Sequence, residues 1–201
     1  MNSKKQTFLV QGNKMSIIFF DCETTGLTKP VAAGLGAQPY ITELCAIKMS
    51  DDLEVEEGKY FQMFKVPVDV EKVQPGDKKS TFEITGISNE MLADKNPFSA
   101  HWKEIAGFFF GVHTMVAHNV SYDRDCLKFE LMRLNKTLNF PWPIEHICTV
   151  ERTMKYKGYR LNLSALHEHL FGVKFEGAHR AEDDVRAMIR CYKEIIKREA
   201  A

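Results

Sequence analysis

The run Ile17-Ile18-Phe19-Phe20 is apolar at every position, and two acids, Asp21 and Glu23, follow it at once. A short apolar run closed by a turn signal, here Thr24-Thr25-Gly26, predicts a buried strand over 16–23. Side chains alternate across a strand, so Asp21 and Glu23 share one face and Cys22 takes the other. The segments "ITELCAIKM" (41–49) and "GKYFQMFKVP" (58–67) read as two more strands, and the turn "DDLEVEEG" joins them as an antiparallel meander. Between the first two strands, "TKPVAAGLGAQPY" is rich in Gly, Pro and Ala and is expected to be a mobile loop.

Further on, the apolar spacing changes from the strand period to the helical one. "TFEITGISNEML" opens a short helical region, and "FSAHWKEIAGFFFG" (98–111) has helical spacing. "HTMVAHN" (113–119) reads as a buried strand, followed by an amphipathic helix over 121–135 that Ser121 is expected to cap. "PWPIEHICTVERTMKY" mixes strand and helix signals, "NLSALHEHLFG" (162–172) is a helix closed by glycine, and "GAHRAEDDVRAMIRCYKEIIKREA" supplies a long last helix. Antiparallel strands first, then strands alternating with helices, predict an α/β fold: a mixed sheet with helices packed on it.

Composition narrows the picture only a little. Lys plus Arg and Asp plus Glu both number 27 in 201 residues, so net charge advertises no nucleic-acid partner. Five cysteines without a CxxC pair argue for reduced thiols, not a disulfide framework or a zinc site. No stretch approaches the roughly 20 apolar residues that span a membrane, and no signal-peptide pattern opens the chain, so a cytoplasmic protein is expected. Residues 1–15 are polar and read as an N-terminal extension to one domain over 16–201; "KKQTFLV" within them is similar to short sliding-clamp-binding peptides, a match short enough to arise by chance.

Asp21 and Glu23, like charges on one face, repel unless something positive sits between them. The pair alone is read equally well as a divalent-cation site or as a strand end entering solvent. Asp123 falls in the first turn of a helix leaving a strand end, aimed at the same sheet edge. His179 precedes Asp184 by five residues, about 500° of helix, so the two meet only if His179 stands on a loop before the first turn; Gly177 permits that. Phosphodiester cleavage by two divalent ions needs several carboxylates, and a histidine with an ordinary pKa of about 6.5 can take a proton at neutral pH. The basic and aromatic run "MKYKGYR" (154–160) could hold phosphates and stack bases, or be a solvated loop.

Together these residues make the chain resemble the DEDDh, or DnaQ-like, 3′→5′ exonucleases, typified by the epsilon proofreading subunit of bacterial replicative polymerase. "FFDCETTGL", "VAHNVSYDRD" and "GAHRAEDDVRA" stand in the family's order, with "FEITGISNEML" and "LNLSALHEHLFG" between them. The resemblance implies an RNase H-like fold. It implies that Asp21, Glu23, Asp123 and Asp184 hold two Mg²⁺ or Mn²⁺ ions, with His179 as general base. It implies that Thr24, Thr25 and Gly26 cradle the terminal sugar, that Ile87 packs near the last bases, and that His118 and Asn119 support the site or touch substrate. The implied activity is release of nucleoside 5′-monophosphates from single-stranded or frayed DNA 3′ ends in proofreading or repair, with a DNA polymerase as partner. RNA trimming resembling RNase T or oligoribonuclease, or a non-catalytic nucleic-acid- or polymerase-binding module, are the alternatives. Two departures stand out: the loop at 27–39 is longer than the compact form, and Cys22 replaces a commoner Thr or Leu. Because Cys22 faces the core, that change is expected to have no consequence.

Overall fold

The computed structural model of the protein describes residues 16–200, apart from the side chains of residues 155 and 156. The expected N-terminal extension, with its clamp-like peptide, lies outside the described residues. Five strands form one sheet in the order β3-β2-β1-β4-β5. They are β1 (Ser16–Thr24), β2 (Ile41–Met49), β3 (Glu56–Met63), β4 (Val112–Ala117) and β5 (Glu145–Cys148). β1, β2 and β3 pair antiparallel, while β4 joins β1 and β5 joins β4 in parallel. The meander followed by parallel strands matches the order in which the hydrophobic pattern changes.

The central strand β1 is covered on both faces, which is why its apolar run does not alternate with polar residues. Ile18, Phe20 and Cys22 enter a core with α3 (Phe98–Phe109) and α4 (Val120–Arg133). Phe19 points the other way, into a core with α6 (Leu163–Phe171) and α7 (Ala181–Glu199). The other α-helices among the described residues are α1 (Thr81–Thr85), α2 (Asn89–Ala93) and α5 (Thr149–Lys157). Among the described residues no helix is long and apolar enough to cross a membrane.

Two local expectations change. Helix α4 is capped by Asn119 in the left-handed conformation (φ 82°), not by Ser121, with no side-chain cap bond. The chain must turn sharply from the end of β4, and asparagine tolerates that conformation better than most residues. The loop at 27–39 contains two 3₁₀ turns, Val31–Ala33 and Leu35–Ala37, and is pinned where mobility was expected. The Gln38 amide bonds both backbone groups of Lys29, at 2.9 and 3.0 Å, and the Lys29 ammonium pairs with Asp77 at 2.9 Å. From α4, the Arg133 guanidinium donates to the carbonyls of Gln38 (2.7 Å) and Pro39 (3.0 Å) and lies over the Tyr40 ring.

Candidate active site at the end of the central strand

Strands β1 and β4 run parallel, so their C-terminal ends meet at one edge of the sheet. Asp21 and Glu23 leave the face of β1 that α7 covers. Asp123, one turn into α4, arrives from the opposite layer and accepts the Cys22 backbone N–H at 3.2 Å and its thiol at 3.4 Å. Asp184 stands on the first turn of α7, where the helix dipole favours an acid. His179 is on the loop before α7, with φ 70°, and its backbone N–H donates to Asp184 Oδ2 at 3.1 Å. One ligand atom each from Glu23, His179 and Asp184 lies within 4.8 Å of the others. The loop placement that lets His179 meet Asp184 is therefore present.

Burial raises all four acids, and repulsion from neighbouring carboxylates adds to it. Burial, then the neighbouring Asp123, Asp184, Glu23 and Glu43, hold Asp21 well above the usual carboxylate range. Burial followed by Asp184 and Glu43 pushes Glu23 up to about 8, with Arg180 opposing. Asp123 rises to about 7 through burial, against the two bonds from Cys22. Asp184 also rises to about 7, chiefly by burial, against the His179 N–H. Oxygen-rich donors with surplus negative charge fit a hard divalent cation, which would relieve the repulsion.

The other residues that the resemblance names are largely engaged within the protein. Ile87 is fully buried, packed with Val70 and Leu92, and so presents no surface to a base. His118 turns both ring nitrogens inward, to Thr149 Oγ1 at 2.8 Å and the Leu161 carbonyl at 3.0 Å, and burial lowers its pKa to about 4. It ties the segment before α6 to β4, a supporting role that uses up its polar groups. The Asn119 side chain accepts from Arg160 at 3.1 Å, so one cation of the 154–160 run is anchored beside the site. The Thr24 hydroxyl bonds the Gly26 carbonyl and Tyr122, and the Thr25 hydroxyl accepts the Tyr40 N–H at 2.9 Å. These bonds hold the Thr24–Gly26 turn rigid and leave the hydroxyls largely occupied. Cys22 does face the core, yet it touches Asp123.

Sequence reasoning missed Glu43. It lies opposite Glu23 in the β1–β2 register, its side chain has no exposure, and it is bound by Arg180 and the Ala181 N–H. The available signal was an acid within the largely apolar strand "ITELCAIKM", where a charge must find a partner.

A family model described as "Exonuclease", RNase_T, matches residues 18–192. The 3′-5′ exonuclease DinG of Bacillus subtilis is 27% identical over 191 residues, covering 92% of this chain and 18% of that protein. The DNA polymerase III subunit epsilon of Pasteurella multocida is 28% identical over 158 residues, covering 76% of this chain and 56% of that protein. The chain thus spans only a part of these relatives. Among solved structures, the nuclease domain of 3′hExo, described as a DEDDh family member bound to rAMP, superposes with a TM-score of 0.67. It is 14% identical and covers 93% of this chain and 94% of that one, a likeness of fold.

Proposed function

The chain belongs to the RNase_T exonuclease family, and on that premise we propose a metal-dependent 3′→5′ exonuclease acting on single-stranded or frayed DNA ends in proofreading or repair. The observation that carries the reading is the approach of Glu23, His179 and Asp184 to within 4.8 Å, with Asp21 and Asp123 beside them. Asp21, Glu23, Asp123 and Asp184 would hold two Mg²⁺ or Mn²⁺ ions. Such ions stabilise charge on the attacking and leaving oxygens of an in-line displacement.

The chain's own groups supply the rest. The imidazole of His179, exposed at the mouth of the site, accepts the proton of the attacking water. As water attacks phosphorus, the bond to the neighbouring nucleotide's 3′ oxygen breaks, that oxygen takes a proton from solvent to become a 3′-hydroxyl, and a nucleoside 5′-monophosphate leaves. The turn Thr24–Gly26, held by Tyr122 and Tyr40, offers its backbone as a rigid seat for the terminal sugar. Asn119 and its partner Arg160 stand near enough to α4 to meet the strand's phosphates.

DNA is favoured over RNA because the family relatives include a polymerase III subunit, and a polymerase is the partner that this role requires. The test pairs 5′-labelled single-stranded DNA and RNA of one sequence with Mg²⁺, Mn²⁺ or EDTA. A metal-dependent ladder shortening from the 3′ end, faster on DNA, is expected. A faster ladder on RNA would move the assignment to RNA trimming. No ladder with any metal would leave a binding module.

A further inference from the structure

We propose that Glu43 and Arg180 form a clamp that positions His179 against Glu23 and Asp184, an inference that rests on the hydrolytic reading above. Glu43 sits on β2 directly across from Glu23 on β1, and its side chain is 0% exposed. Its two oxygens accept Arg180 Nε at 3.2 Å each, and Oε2 accepts Nη2 at 2.7 Å. Oε1 also accepts the Ala181 backbone N–H at 2.8 Å, which serves one of the unpaired donors opening α7. One carboxylate thus ties β2, the strand paired with the one that carries Glu23, to the start of the helix that carries Asp184.

His179 is the residue next to this anchor. Its ring is exposed, and its backbone is left-handed at φ 70°, a conformation other residues than glycine hold only when their surroundings impose it. Two restraints impose it here. The His179 N–H is fixed to Asp184, and the following residue is fixed to Glu43. An ion pair whose cation is half-exposed, as Arg180 is, is weak evidence of stabilisation. What a forked guanidinium on a carboxylate adds is direction. Arg180 acts through His179 and is a positioning residue.

Arg180→Ala, Arg180→Lys and Glu43→Gln are each compared in wild-type and His179→Ala backgrounds, by steady-state cleavage of labelled single-stranded DNA with Mg²⁺. Thermal melts confirm folding. Arg180→Ala should lower kcat by about 10- to 100-fold, the scale of a displaced catalytic group, with KM unchanged. In the His179→Ala background the same substitution should cost nothing more, because the group it positions is gone. Arg180→Lys should recover only part of the rate, since an ammonium does not reproduce the fork. If Arg180→Ala does not fold, the cycle is read on Arg180→Lys and Glu43→Gln, which keep most of the pair. An unchanged kcat, or equal losses in both backgrounds, would overturn the clamp. So would a raised KM with kcat kept, which would make Arg180 a substrate contact. An inactive wild type, or His179→Ala as fast as wild type, would overturn the hydrolytic reading itself and the clamp with it.

Discussion

Two sets of acids, all at least half-buried, behave differently. Glu43 and Glu130 are sealed in the protein, and each has a cation and a backbone N–H of its own: Arg180 with Ala181, and Arg133 with Ile41. Asp21, Glu23, Asp123 and Asp184 chiefly face one another, and the few donors that reach them do not offset their burial. Asp21, Glu23 and Asp184 are half-buried, but Asp123 at 3% exposed is as deep as Glu130 at 5%, so depth alone does not separate the sets. What separates them is whether the compensating charge is part of the chain. Acids with an internal partner hold structure in place; acids without one are arranged for a charge that comes from outside.

The sharpest way to break that comparison is to remove one acid of the unpaired set. Asp21→Ala should cost more than the roughly 10²–10⁴-fold expected for loss of a general base. Its melting temperature in EDTA should not fall, because a repelling charge has gone. Near-normal cleavage by this variant would sink the cation assignment. The opposite pattern is expected in the paired set. Arg133→Ala strands Glu130 and frees the 27–39 loop, and should lower stability by roughly 3–5 kcal/mol while kcat is retained. Urea unfolding beside a cleavage assay reads both, and an unaltered midpoint would show that Glu130 is not held by its pair.

A third test uses pH. Glu23, Asp123 and Asp184 titrate near 7 to 8 in the folded chain without metal and near 4 when unfolded. Between those values the folded state binds more protons than the unfolded one. The metal-free protein should therefore lose stability as pH rises from about 4 to 8. Mg²⁺ should raise the melting temperature at pH 8 and do much less at pH 5, where protons already occupy the acids. A melt in EDTA that is flat across this range would mean that the acids are ionised without strain.

The unpaired set was legible because its cues are local. The period of two placed Asp21 and Glu23 together, the strand-to-helix step located Asp123, and Gly177 allowed the loop that His179 needs. The paired set was not legible, since its partners are distant in sequence and depend on register. Glu43 meets Arg180 only because β1 pairs with β2 and α7 covers both. Arg133 pins Gln38 and Pro39 from α4, which is why a Gly- and Pro-rich segment read as mobile is held. The resemblance puts Ile87 near the last bases, yet Val70 and Leu92 enclose it. Local pattern reports which residues a strand presents; it does not report what packs on them.

Cys22 offers the smallest test, and it probes the boundary between the sets. Alternation correctly turns its side chain to the core, from which no consequence was expected. The core at that point includes Asp123, and the thiol donates to Asp123 Oδ1 at 3.4 Å alongside the backbone N–H at 3.2 Å. Both bonds favour the ionised carboxylate and so oppose the rise that burial causes. Cys22→Ala removes the weaker of the two and leaves the backbone bond. Asp123 should then hold its proton more tightly and compete less well for a cation. A thiol is a weak donor, so the Mg²⁺ concentration for half-maximal rate should rise by less than about tenfold. The rate at saturating Mg²⁺ should be nearly unchanged. An unmoved Mg²⁺ dependence would mean that the backbone N–H alone holds Asp123, and that the residue between Asp21 and Glu23 serves only the core. A shift would make the Cys22 thiol a side-chain donor that tunes an acid of the unpaired set.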